Sequence, residues 1–253
     1  MSGDKREAPF FVGYLPVPIP LRGWLLAVAA SLAALFAAIG WAIATSQSDP
    51  GPGAFRFDLG EQTVTGLIES RPYPLLHVTI GSDAIPAGHT LMLAGLGKTG
   101  AAGQTAPLDG RLAQISGIIL KRGDLDMLQL RGGSGAVAAE GEAPAIPVTQ
   151  LGRWRLAGEI CDGKCLAGAM RPGTGLAHKA CANLCLAGGI PPVFVSSRPV
   201  EGSAFLLLAG PDGGPLPGWL YDRTAVLLSI EGDIERRGDL LIFRVDPASV
   251  EVL

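Results

Sequence analysis

The residues best suited to chemistry are four cysteines and one histidine that lie close together in the 253-residue chain. Cys161 and Cys165 are separated by three residues, and Cys181 and Cys185 repeat that spacing after an interval of fifteen. His178 comes three residues before Cys181. Thiolates with a neighbouring imidazole bind copper or zinc, whereas pairs of thiols in an oxidising compartment form disulfides.

Two interpretations of this cluster remain open at the level of sequence. As a metal site, it would use Cys161, Cys165, His178, Cys181 and Cys185 to hold copper or zinc. As a disulfide framework, it would use the four cysteines, which allow three pairings, such as Cys161 with Cys185 and Cys165 with Cys181. A thiol-disulfide enzyme is disfavoured because the C-x-x-C spacing is absent.

A short helix is predicted to carry half of the cluster. Residues 177–186 are bounded by glycines, and in a helix His178, Cys181 and Cys185 occupy positions i, i+3 and i+7 on one face. Cys161 and Cys165 are predicted at the end of the preceding strand and in the turn after it. The two halves meet if the helix folds back onto the strand.

The segment around these residues resembles one found in small exported bacterial proteins without assigned activity. The resemblance covers about 35 residues and rests on Gly158-Glu159-Ile160-Cys161, Lys164-Cys165, Gly168, Met170, Pro172-Gly173, His178-Lys179-Ala180-Cys181-Ala182, Cys185 and Gly188-Gly189-Ile190-Pro191-Pro192. It implies an exported bacterial domain with a fixed Cys/His loop, and it implies no substrate.

An internal duplication organises the rest of the chain. Thirteen of the 35 residues from 91 to 125 are identical to those at an offset of 115, and both copies contain the turn Arg-Gly-Asp-Leu, at 122–125 and 237–240. Upstream the offset falls to 92, because Gly66-Leu67-Ile68 matches Gly158-Glu159-Ile160. The second copy has therefore gained 23 residues, and this insertion contains the cysteines.

Short apolar runs broken by Gly, Pro, Asp and Ser predict a mainly β fold. We expect two related small β-barrels of the OB type, the second with a Cys/His-rich helical insertion, and a β-sandwich is the alternative. The predicted organisation is a cytoplasmic Pro-rich tail (1–22), a transmembrane helix (23–45), a linker (46–60), a first repeat (61–138), a second linker (139–152) and a second repeat (153–253) with its insertion (161–189).

One apolar stretch predicts a single membrane span. Residues 24–44 are almost wholly apolar and long enough to cross a bilayer, and Lys5, Arg6 and Arg22 precede them. The positive-inside rule then predicts a bacterial inner-membrane protein with a cytoplasmic N-terminus and a periplasmic C-terminal part. A cleavable signal peptide is the alternative. Small residues at four-residue spacing predict a face for a partner helix, formed by Ala30, Ala34 and Ala38.

Composition narrows the function. The net charge is −3 and 17% of residues are charged, which predicts no basic surface for a nucleic acid. The loop at 95–99 lacks the full phosphate-binding pattern, so no nucleotide site is predicted there. His77 and His89 are predicted at the surface or at strand edges, and no catalytic constellation is evident. The sequence therefore predicts a non-enzymatic accessory or assembly subunit of a respiratory or redox membrane complex, with a periplasmic copper- or zinc-binding protein as the alternative.

The predicted topology has a direct test. A reporter protein that is active only outside the cytoplasm, fused after Leu253, should be active, because residues 46–253 are expected to be exported. A second reporter that is active only in the cytoplasm serves as the control. Activity of the cytoplasmic reporter alone would contradict the prediction.

Overall fold

The computed structural model describes residues 17–46, 50–133 and 135–253. Most of the predicted Pro-rich tail (1–16) and positions 47–49 of the predicted linker therefore lie outside the described residues. The chain divides at Pro50 into two compact units, each described here by itself.

The N-terminal unit contains one long helix, α1 (Ile19–Ser46). It begins four residues before the predicted span, with Pro20 in its first turn, where the missing N–H of proline has no helical partner to lose. No residue of α1 is buried, so Ala30, Ala34 and Ala38 lie exposed on its surface. The helix is long and apolar enough to cross a membrane, as a membrane anchor or as a signal sequence.

The first β-sheet closes into a five-stranded barrel. Its strands are β1 (Ala54–Phe55), β2 (Gln62–Glu69), β3 (Leu75–Ile80), β4 (Thr90–Ala94), β5 (Leu112–Arg122), β6 (Leu125–Leu130) and β7 (Ala136–Ala138), with the short helix α2 (Ala102–Thr105) between β4 and β5. The barrel order is β5-β2-β3-β4-β6, and pairing of β6 with β5 closes it. The β4–β6 pair is parallel, and β1 and β7 add to β5.

The second sheet forms a barrel of the same connectivity. Its strands are β8 (Val148–Asp162), β9 (Pro192–Val200), β10 (Ser203–Ala209), β11 (Leu227–Arg237), β12 (Leu240–Val245) and β13 (Glu251–Val252). The order is β11-β8-β9-β10-β12, closed by β12 on β11, with β10 and β12 parallel. Both barrels follow the strand order of the OB type, which confirms the predicted fold class.

Strand register shows the duplication at the level of individual residues. Gly117 pairs with Leu130 in the first barrel, and Gly232 pairs with Val245 in the second, each at the offset of 115. A Cβ atom at Gly117 would lie 2.2 Å from the carbonyl oxygen of Gln129, and one at Gly232 would lie 2.3 Å from that of Arg244. Glycine is therefore required at both positions by the same close approach of two strands.

The two barrels share an apolar core in addition to one core inside each barrel. The shared core is formed by equivalent residues of the two copies, which are Met92 and Leu207, Ala94 and Ala209, Leu125 and Leu240, and Met127 and Ile242. Because one surface of the duplicated unit packs on its own copy, the barrels form a single unit from Pro50 to Leu253. Cys161, Cys165 and Cys185 belong to this core.

A histidine with two carboxylate partners crosses the same junction. The His89 Nδ1 atom lies 2.5 Å from Asp239 of the second barrel, and Nε2 lies 3.1 Å from Asp126 of the first. Hydrogen bonds to Asp126 and Asp239 raise the pKa of His89 to about 9. The Asp239 carboxylate also accepts the backbone N–H of Thr90 at 2.8 Å.

The prediction that His77 and His89 lie at the surface or at strand edges was wrong for His77. The His77 side chain is 4% exposed in β3, which pairs with strands on both sides. Its ring nitrogens contact Glu69 and Thr90 at 2.8 and 3.1 Å. His89 is 19% exposed, because packing of the second barrel covers it.

Replacement of His89 by glutamine should destabilise the β unit in a pH-dependent way. The raised pKa means that the charged imidazole stabilises the fold below its unfolded-state pKa near 6.5, and this contribution is lost as pH rises through about 9. At pH 6 we expect the free energy of unfolding to fall by about 1 to 3 kcal/mol. Urea unfolding of the full chain in detergent, followed by circular dichroism, measures the difference. The same deficit at pH 6 and pH 10 would contradict this role.

Candidate metal centre

The insertion predicted in the second repeat lies between β8 and β9. Residues 163–191 occupy this connection, whereas residues 70–74 suffice between β2 and β3 of the first barrel. The insertion contains a π-helical turn (Cys165–Ala169), a 3-10 turn (Leu176–His178) and the helix α3 (Lys179–Ala187). The predicted helix is thus confirmed, with His178 at its N-terminal boundary.

A fully buried carboxylate holds the insertion to the strand before it. Asp162, the last residue of β8, is 0% exposed. One of its oxygens accepts the backbone N–H of Cys165 at 2.8 Å, and the other lies 2.8 Å from His178 Nε2. A buried carboxylate requires such partners, because leaving the charge unpaired costs several kcal/mol. These two bonds bring the start of α3 against the turn that follows β8.

Three of the four cysteines come together around this carboxylate. The Sγ atom of Cys165 lies 3.9 Å from that of Cys181 and 4.0 Å from that of Cys185. The ligand atoms of Cys165, His178 and Cys181 all lie within 4.8 Å of one another, and so do those of Asp162, Cys165 and Cys185. Cys161 belongs to neither group, and its thiol lies 3.4 Å from a Glu159 carboxylate oxygen.

The sulfur separations match a shared metal ion better than they match a bond between sulfurs. Two thiolates on a tetrahedral zinc, each at about 2.3 Å, are about 3.8 Å apart, whereas a disulfide bond is about 2.05 Å. All four cysteines are free thiols in the structure. The pairings Cys161 with Cys185 and Cys165 with Cys181 therefore stay predictions.

The neighbouring thiols have different acidities. The hydrogen bond between Cys165 and Cys185 lowers the pKa of Cys185 and raises that of Cys165, so Cys185 ionises first. Burial raises the pKa of the Cys161 thiol, and the nearby Glu159 adds to this effect. The pair therefore favours ionisation at Cys185, and the thiolate is the form that binds a metal.

The imidazole of His178 has one nitrogen left for a ligand. The residue is 2% exposed, and Nε2 is used by Asp162. Nδ1 is buried and has no hydrogen-bond partner among the described residues. A carboxylate on one ring nitrogen and a metal on the other is the usual arrangement of metal-binding histidines. His178 thus has the chemistry of a ligand whose orientation Asp162 fixes.

A loop of the first barrel brings a lysine to the cluster. Residues 95–100 follow β4, and Lys98 Nζ lies 2.7 Å from Cys181 Sγ and 3.7 Å from Cys185 Sγ. The bond to Cys181 raises the pKa of Lys98. From the insertion, Lys164 donates to the carbonyl oxygens of Gly95 and Gly97 at 2.6 and 2.8 Å, and burial lowers its pKa.

Of the five candidate ligands named from the sequence, the structure brings together Cys165, His178, Cys181 and Cys185, and Cys161 lies outside both groups. Sequence reasoning missed Asp162, Lys98 and Lys164. Asp162 and Lys164 stand between the first two cysteines, so their position was a usable signal. The sequence contains no signal for Lys98, because this residue is 83 residues from Cys181 and approaches it only when the two barrels pack together.

Backbone contacts between glycines fix this loop on the insertion. The Gly100 N–H donates to the Gly188 carbonyl at 2.8 Å. A Cβ atom at Gly188 would lie 1.9 Å from the Lys98 carbonyl oxygen, and one at Gly100 would lie 2.1 Å from that of Gly189. The absence of side chains at these positions allows the loop to contact the end of α3.

Comparison of the chain with protein-family models, curated proteins and solved structures finds no match. The resemblance to exported bacterial proteins stays a prediction.

Replacement of Gly188 by alanine should separate the loop from the insertion. The new methyl group would overlap the Lys98 carbonyl, so we expect a loss of about 1 to 3 kcal/mol and faster amide exchange at 95–100. Hydrogen exchange with mass spectrometry measures the second effect. Gly103→Ala is the matched control, because a Cβ atom at Gly103 meets nothing within 4 Å. Equal amide exchange at 95–100 in both variants would contradict the role of Gly188 in this contact.

Proposed function

We propose that this protein binds one soft metal ion, zinc or copper(I), and holds it next to a membrane. The thiolates of Cys165, Cys181 and Cys185 and the imidazole of His178 are the proposed ligands. The observation that carries the proposal is that a ring nitrogen of His178 lies in one group with the free thiols of Cys165 and Cys181, while its buried Nδ1 atom has no hydrogen-bond partner among the described residues. Nitrogen and sulfur donors together suit these two metals and are poor ligands for magnesium or calcium.

Charge in and around the cluster supports a cation at this point. Three thiolates carry three negative charges, so a divalent metal would leave an excess of one, which the ammonium group of Lys98 is placed to balance. The Asp162 carboxylate orients His178 and does not need to bind the metal itself. A monovalent copper ion would leave one further negative charge near Lys164.

Exposure of the ligands suggests how the ion would arrive. Cys165, Cys185 and His178 are buried, whereas Cys181 is half-buried and Lys98 is exposed. The proposed site is therefore open to solvent only on the side of Cys181 and the 95–100 loop. A site with one accessible thiolate suits uptake and transfer of a metal, because an incoming ligand can first replace that sulfur.

The apolar helix Ile19–Ser46 supplies the proposed anchor. In this proposal α1 spans the bacterial inner membrane once, with the metal-binding unit on the periplasmic side, as its charge pattern predicts. The role of accessory or assembly subunit in a membrane complex also stays a proposal. Metal binding does not depend on that role, and the two are tested separately.

Metal content of serine variants tests the proposal. The full chain in detergent, reduced and then incubated anaerobically with Zn²⁺ or Cu⁺, should retain one ion per chain after gel filtration. Cys165→Ser should lose it, because Cys165 is common to both ligand groups. Cys161→Ser is the matched control and should retain the ion, because Cys161 lies outside both groups. Metal analysis by mass spectrometry gives the ratio.

The Asp162→Asn variant extends the same experiment. An asparagine amide would donate to His178 Nε2, so that the proton would move to Nδ1 and block it as a ligand. We expect affinity measured by chelator competition to fall about 10- to 100-fold. Retention of less than 0.1 ion by the reduced wild-type chain would contradict the proposal, and so would equal losses in Cys161→Ser and Cys165→Ser.

A further inference from the structure

One contact in the cluster is shorter than its atoms permit as an ordinary hydrogen bond. Lys98 Nζ lies 2.7 Å from Cys181 Sγ. Hydrogen bonds from nitrogen to oxygen have donor–acceptor distances of about 2.7 to 3.2 Å. Because sulfur is larger than oxygen, a hydrogen bond from nitrogen to sulfur is expected to be longer. The contact of the same lysine with Cys185, at 3.7 Å, is of that longer kind.

The two atoms are held together from both sides. The loop that carries Lys98 is fixed before it by the bonds from Lys164 to Gly95 and Gly97, and after it by the bond from Gly100 to Gly188. Cys181 lies in the first turns of α3, whose start is fixed by the bond between His178 and Asp162. The lysine and the thiol therefore meet without a further change of the backbone, and Cys181 is accessible enough for an oxidant to reach it.

We propose that Lys98 and Cys181 form an oxidative crosslink in which one oxygen atom joins Nζ to Sγ. An oxygen bonded to both atoms keeps the nitrogen and the sulfur close to the separation observed. The link would connect the first barrel covalently to the insertion of the second. It requires an oxidant of the peroxide class, such as hydrogen peroxide.

The chemistry balances in two steps. Hydrogen peroxide first transfers one oxygen atom to the Cys181 thiol, which gives a sulfenic acid and one water. The Lys98 ammonium group releases one proton to water. A second peroxide then removes one hydrogen from the sulfenic acid and one from the resulting amine, the oxygen–nitrogen bond forms, and two waters leave. Sulfur and nitrogen together lose four electrons, two to each peroxide.

This inference does not rest on metal binding, but it affects the same thiol. A crosslinked Cys181 has no thiolate to offer a metal, so the link and a fully coordinated metal exclude each other. Oxidation would therefore convert the cluster from a form that can bind a metal into a form in which the two barrels are joined. Because the crosslink needs no metal, the two proposals can fail independently.

Intact mass of the metal-free full chain in detergent tests the link. Protein treated with a chelator and then with hydrogen peroxide should gain about 14 Da per chain, because one oxygen is added and two hydrogens are lost. The reference is the same protein kept reduced and anaerobic. Peptide sequencing should place the link between Lys98 and Cys181.

Lysine variants provide the controls. Lys98→Arg should abolish the species with the gain of about 14 Da, because the amine is missing. Lys179→Arg should retain it, because Lys179 donates to the Asp222 carbonyl and not to a thiol. A loss of about 2 Da alone, as in a disulfide, would overturn the proposal, and so would an unchanged gain in Lys98→Arg. If Lys98→Arg does not fold, the peptide map of the wild-type chain decides by itself.

Discussion

Two barrels of the same connectivity bury equivalent apolar faces against each other, and this contact determines where the candidate metal centre lies. Met92 and Leu207 occupy the same position in the two copies and meet in one shared core. Three of the cysteines belong to that core, so the insertion is covered by the first barrel rather than extended into solvent. Burial of apolar surface, at about 25 cal/mol per Å², favours this packing of the barrels, and hydrogen bonds to Lys164 and Gly188 hold the loop at 95–100 in place.

Several polar groups at this junction orient one another. Asp162 orients both the Cys165 backbone and the His178 ring, and Lys164 holds the loop that carries Lys98. A site built in this way depends on two elements far apart in the chain, the end of β8 and the loop after β4. The proposed metal binding and the packing of the barrels should therefore stabilise each other, because both need the same arrangement of this loop.

The duplication was modified differently in its two copies. The first barrel supplies the lysine loop and His89, while the second supplies the insertion and the Asp239 carboxylate that His89 contacts. Equivalent positions in the other copy are occupied by Ala204 and Asp124, which do not reproduce the His89 contact. The shared core is thus nearly symmetric, whereas the polar contacts across it are not. Because of this asymmetry, the pair of barrels has one candidate metal site rather than two among the described residues.

Sequence alone determined the elements whose signals are local. The apolar run predicted α1, the repeated glycines and Arg-Gly-Asp-Leu turns predicted two barrels, and the i, i+3, i+7 spacing predicted that His178, Cys181 and Cys185 share a helix. The first follows from the length that a membrane span needs, the second from self-similarity at an offset of 115, and the third from the period of a helix.

Only the tertiary structure decided which side chains complete the cluster. Cys161 has the same spacing to Cys165 as Cys181 has to Cys185, yet it lies outside both ligand groups, because strand β8 directs its thiol to Glu159. Lys98 lies beside Cys181 although 83 residues separate them, since the packing of one barrel on the other brings them together. Spacing along a chain describes positions within one element, whereas contact between elements depends on the surfaces that they bury.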